Sequence, residues 1–81
     1  MMKYANLTDR QRRSIEQQVK SKGYLKLGEG LPTKIVKCKE VGCPICDNPL
    51  EIYTSGNSYQ ISCETHGKIV VARAYAVSNF G

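Results

Sequence analysis

The sequence predicts a single small α+β domain: a basic N-terminal helix, a short hairpin and a three-stranded antiparallel sheet. Three observations carry that expectation. A capping-box pattern, Thr8-x-x-Gln11, opens a helical stretch. Alternating β-branched and aromatic residues flank Gly56-Asn57, a two-residue hairpin signal. Cys43-Pro44-Ile45-Cys46 and Cys63-Glu64-Thr65-His66 stand on either side of that hairpin. One domain over residues 1–81 is expected, a basic region (1–39) preceding a cysteine-bearing region (40–77).

Length sets the first constraint. A chain of 81 residues buries only about 60% of the surface its unfolded form exposes, so a staple such as a disulfide, a metal or a partner subunit is expected. With no Trp, one Phe and five Tyr, a large enzyme pocket is not expected. No apolar run reaches the roughly 18 residues of a membrane span. Met1 to Arg10 lacks the apolar stretch of a signal peptide. The expected compartment is the reducing cytosol, where four cysteines suggest metal ligands over disulfides.

The helix is expected from about Asp9 to Lys22. Thr8 is its N-cap, Asp9 meets the positive end of the helix dipole, and Lys20 and Lys22 meet the negative end. Gly23 supplies the stop. At about 100° per residue, Ile15 and Val19 share one side, while Arg10, Arg13, Gln17 and Lys20 fall within about 80° of one another on another. An apolar stripe that thin predicts a surface helix docked by one edge, presenting a basic face.

Two short β-like runs follow, Tyr24-Leu25-Lys26-Leu27 and Thr33-Lys34-Ile35-Val36-Lys37-Cys38, around a Gly/Pro turn. They predict a loose hairpin. Gly28 and Gly30 do not form a phosphate loop, since the Gly-Lys-Ser/Thr signature is missing. Glu51–Ser55 and Ser58–Ser62 are the strands of the central hairpin. A third strand starts at Lys68, and the Ala-rich end of that run, toward Val77, is open to strand or helix.

The cysteines carry the chemistry. Two ligands spaced by two residues grip one metal from a tight turn, and two such turns joined by a hairpin make a closed tetrahedral site. Cys43, Cys46, Cys63 and His66 have that spacing. The arrangement resembles a zinc ribbon over roughly Val41 to Ala74, which implies a structural Zn2+ on those four side chains. Ribbons serve in transcription, translation and nucleic-acid handling, or as protein-docking modules. Two features depart from the commonest ribbon: His is the last ligand, and Asp47 and Asn48 stand where a glycine usually follows the second Cys. Three other readings remain open. Cys38-x4-Cys43-x2-Cys46…Cys63 imitates the spacing of plant-type ferredoxins. Cys43-x-x-Cys46 alone imitates a redox pair, although no βαβ pattern surrounds it. The cysteines and His66 could also be unrelated core or surface residues. Under the ribbon reading, Cys38 is a fifth, alternate ligand or a small buried side chain.

Catalysis is not expected. Four protein ligands leave a metal no open position, and the single histidine is among them, so no serine has a free histidine to activate it. Function then falls to the basic region. Residues 1–39 hold ten basic against three acidic side chains, a local charge of +7 within a net +5. Arg10, Arg13, Gln17 and Lys20, flanked by Arg12 and Lys22, form a face suited to the phosphates of DNA or RNA. Lys26, Lys34, Lys37 and Lys39 extend it, and Tyr24, Tyr53 and Tyr59 offer stacking surfaces. The alternative is a docking adaptor or inhibitor that binds an acidic protein surface, its thin Ile15/Val19 face completed by that partner or by a second copy.

Overall fold

Thr8 opens the helix as its sequence pattern requires. In the computed structural model, which describes residues 4–73, α1 runs from Asp9 to Ser21 with Lys22 as C-cap. The Thr8 hydroxyl accepts from the Gln11 backbone N–H at 3.1 Å, and the Gln11 side chain accepts from the Thr8 N–H at 2.9 Å. Gly23 then turns the chain with a φ of 83°, a conformation that costs glycine little.

Four strands follow: β1 (Lys34–Gly42), β2 (Pro49–Ser55), β3 (Ser58–Cys63) and β4 (Gly67–Arg73). They form one antiparallel meander in the order β1-β2-β3-β4. Gly56-Asn57 joins β2 to β3, and only Gly56 of the pair has positive φ, 57°, as in a type II′ turn. The central hairpin and the strand after the second cysteine turn therefore form as expected. The Ala-rich end, residues 74–77, lies outside the described residues.

The expected loose hairpin does not form. Tyr24–Leu27 makes no strand, and β1 pairs with β2 instead, aligning Val36 with Ile52 and Cys38 with Leu50. The sheet thus has four strands, not three, and β1 crosses the boundary at residues 39/40 between basic and cysteine-bearing regions. The reason is burial at the far end of the strand. Pairing with β2 sets Cys38 beside Leu50 and places Cys38 and Val41 in the core, while Val36, aligned with Ile52, stays partly exposed. Tyr24 and Leu25 pack against the core's margin.

One face of the sheet and α1 enclose the core. Ile15, Val19, Leu50, Ile52, Ile61 and Ile69 are buried, together with Cys38, Cys43 and Cys63. A register shift between β3 and β4 at Ile61/Ser62 inserts an extra residue in β4. It lets consecutive residues Ile69 and Val70 both contact the core. Ile15 and Val19 are 3% and 0% exposed, so the chain's own sheet covers the helix stripe. The expectation that a partner or a second copy completes it is overturned.

Polar tethers hold the helix to the sheet. The Tyr59 hydroxyl donates to Glu16, and burial together with that bond pushes its pKa up to about 12. At the other end, the Tyr24 hydroxyl donates to Glu40 at 2.8 Å, and Lys22 pairs with the same carboxylate at 3.5 Å. Those two partners, Tyr24 first, hold Glu40 below the usual carboxylate range. Arg12 makes the tightest tether. Its guanidinium donates to the Ile69 and Ala5 carbonyls, both at 2.6 Å, binding α1, the N-terminal segment and β4 together.

Arg12→Met keeps the apolar stem but removes the donors and strands two carbonyls. Charged hydrogen bonds of this kind make an expected loss of about 2 kcal/mol, read from urea denaturation. Arg10→Met, on the solvent side, should stay within about 0.5 kcal/mol of the parent.

Candidate metal centre

A four-stranded meander puts its first and third connections at the same end of the sheet. Cys43 and Cys46 lie in the β1–β2 connection, Cys63 ends β3, and His66 lies in the β3–β4 connection. Topology alone therefore brings the two halves of the site together. The four donor atoms, three Sγ and His66 Nδ1, all lie within 4.8 Å of one another.

Three of the six separations lie near the edges of a tetrahedral site. Metal–sulfur bonds of about 2.3 Å and metal–nitrogen bonds of about 2.0 Å set S···S edges of about 3.8 Å and S···N edges of about 3.5 Å. The Sγ atoms of Cys46 and Cys63 are 3.5 Å apart, and His66 Nδ1 is 3.7 Å from the Sγ of both Cys43 and Cys63. All four cysteines are free thiols. The group could hold a metal ion, and three thiols with one imidazole suit zinc chemistry.

Each turn is shaped for this task. Cys43 O accepts from Asp47 N–H at 2.7 Å, closing the first turn, and Cys43 N–H donates to Asn48 O at 3.0 Å. Both turns end on a left-handed residue directly after their second ligand: Asp47 has φ 61° and Gly67 φ 98°. Asp47 can hold this backbone because its short polar side chain tolerates the conformation better than most. A Cβ at Gly42 would stand 2.9 Å from Asp47 Oδ1 and 3.2 Å from the Asp47 backbone oxygen, so a side chain there would force the turn to shift.

The turns also prepare the sulfurs electrostatically. Burial raises the Cys63 thiol, but the backbone amide and ring of His66, the Thr65 amide and Cys46 outweigh it, lowering the pKa to about 6. At Cys46 the Asn48 amide lowers the pKa, while burial and the neighbouring thiols prevail and raise it. Cys43 and Cys63 are 2% and 0% exposed, Cys46 and His66 half-buried. Asn48 Nδ2 reaches Thr65 Oγ1 at 3.4 Å, a link between the two turns that sequence reading did not single out.

Cys38 stands apart from the four-residue group and is fully buried in the core. It is a buried side chain rather than a fifth ligand, its sulfur beside the Tyr24 hydroxyl. The ferredoxin-like set, which needs it, is not assembled. The pairing of both turns likewise goes against an isolated Cys43/Cys46 redox motif.

The basic residues divide in two. Arg10, Arg13, Gln17 and Lys20 are exposed. Arg12 is half-buried and committed to Ile69 and Ala5, and Lys22 is paired with Glu40. Helix phase foretells this split: Arg12 lies only about 40° from the mean direction of Ile15 and Val19, whereas the other four centre about 160° away. Tyr24 and Tyr59 are half-buried with engaged hydroxyls, and Tyr53 is 38% exposed.

The two turn ends should respond oppositely to substitution. Gly67→Ala is expected to cost about 1–2 kcal/mol, the penalty of a side chain in left-handed backbone. Asp47→Gly, which relieves that penalty, should be neutral or stabilising by up to about 1 kcal/mol. Thermal melts of both variants, metal-loaded, check the pair.

No helix among the described residues is long and apolar enough to cross a membrane. Comparison with protein-family models, with curated proteins and with solved structures finds no match for the chain.

Proposed function

We propose that the domain is a zinc-ribbon variant, with an added strand and an N-terminal helix, that binds DNA or RNA without catalysis. Cys43, Cys46, Cys63 and His66 hold a structural Zn2+ in this reading. Zinc would supply folding free energy on the order of 10 kcal/mol. The benefit is direct, because Cys43 and Cys63 are themselves core residues. Four protein donors leave no position for a substrate. Free thiols suit a reducing compartment such as the cytosol.

One observation carries the nucleic-acid reading. Arg10, Arg13, Gln17 and Lys20 occupy the exposed side of α1, away from buried Ile15 and Val19. Among the described residues, no carboxylate pairs with the three cations of that group. Unpaired cations on a rigid helix are suited to phosphate oxygens, and a sequence pI near 9.2 favours a polyanion. Arg12 and Lys22 support the face from its flanks and do not carry it.

Metal analysis should find one zinc per chain in a colourless protein. Cys46→Ser or a strong chelator should abolish cooperative melting, and melting unchanged by both would overturn the metal assignment. For binding, Arg10→Glu with Arg13→Glu should weaken DNA or RNA affinity about ten-fold or more at low salt. It should also flatten the salt slope by about two phosphate contacts, with the melt unchanged. No detectable binding to either nucleic acid at about 50 mM salt would sink this reading.

A further inference from the structure

The two edges of the sheet differ. Along the outer edge of β4, Tyr4 bridges Lys68, and the Ala5 N–H donates to the Lys68 carbonyl at 2.7 Å. Arg12 occupies the next carbonyl, that of Ile69, at 2.6 Å. The start of β4 is therefore capped. Strand β1, nine residues long, is the other edge. Among the described residues, no backbone group outside the sheet hydrogen-bonds to it. An uncapped edge is a row of donors and acceptors at strand spacing, a template for another strand.

Side chains along β1 specify what that strand would be. Lys34, Lys37 and Lys39 are exposed, and Ile35 and Val36 are 67% and 38% exposed. On the sheet face shared by β1 and β2 lies a groove of about 360 Å³, lined in part by Tyr24, Leu31 and Pro32, by Val36 of β1 and by Ile52 and Thr54 of β2. Nearby carboxylates offset part of this charge at Lys37, which has Glu51 as its cross-strand neighbour, while neither ion pair among the described residues involves Lys34 or Lys39. Glu40 is held by Lys22 and Tyr24, and Glu64 only approaches Lys37 at 4.0 Å.

We propose that the outer edge of β1 is a docking site for an extended polypeptide segment of alternating acidic and apolar residues, taken up as a fifth strand. Backbone pairing supplies the ladder, the groove accepts apolar side chains, and the lysines select acidic ones. A second copy of this chain is disfavoured, because the central antiparallel registers of β1 with itself set Lys34 against Lys39 or Lys37 against Lys37. Nucleic acid is the weaker occupant: it has phosphates for the lysines, but its donors and acceptors are not spaced to continue the strand's ladder. The site is separate from the outer face of α1, so this proposal does not rest on nucleic-acid binding.

The test uses the zinc-loaded full chain, followed by amide NMR. Its probes are a capped heptapeptide of alternating glutamate and valine, the same peptide with lysine for glutamate, and an oligothymidylate. The acidic peptide should shift the amides of residues 34–39 and slow their hydrogen exchange. Lys37→Glu with Lys39→Glu, on the face away from Val36 and the groove, should weaken that binding about ten-fold or more with an unchanged melt, whereas Arg10→Glu with Arg13→Glu should leave it intact. Three results would each overturn the proposal: no shift at β1 with the acidic peptide, equal binding of the lysine peptide, or β1 shifts with oligothymidylate alone.

Discussion

Convergence of four soft donors at one end of a meander is the constraint on which the rest depends. Cys43 and Cys63 belong at once to the site and to the core, packed with Leu50 and Val41. In a chain this small, the apolar side chains alone give a marginal core. Without an ion, three thiols and an imidazole would sit together with their charges and protons uncompensated. With one, the same groups become the strongest cross-link in the fold, tying the β1–β2 turn to the β3–β4 turn. The hydrogen bonds that the turn amides donate to sulfur work in the same direction, since they favour the thiolate that a metal needs.

Helix α1 is held by different forces. It gains its place through two fully buried side chains, Ile15 and Val19, and through three polar tethers from Arg12, Glu16 and the Lys22/Tyr24/Glu40 cluster. Arg12 shows how a cation becomes structural. Its stem lies on the core side of the helix, so its charged head is spent on backbone carbonyls that would otherwise face a sheet edge. Arg10 and Arg13, close by in sequence, point the other way and keep their charge available. The same residue type at neighbouring positions thus stabilises the fold in one case and faces solvent in the others.

How much of this was legible depended on whether the signal was local. Thr8 with Gln11, Gly23, Gly56-Asn57 and the two ligand turns each act within a few residues. Their helix, stop, hairpin and donor cluster could accordingly be read directly from the chain. Strand β1 could not. The run from Lys34 to Cys38 suits a hairpin with Tyr24–Leu27 as well as it suits a sheet edge, and only the burial of Cys38 beside Leu50 chooses between them. Nor could the role of Asp47 be read beforehand, because its left-handed backbone follows from closing a turn on Cys43. The sequence by itself determined the elements and the four donors, through propensity, capping and spacing. Tertiary structure decided which strand joined the sheet, which cysteine left the site and which arginine left the basic face, because each of those depends on burial against residues distant in the chain.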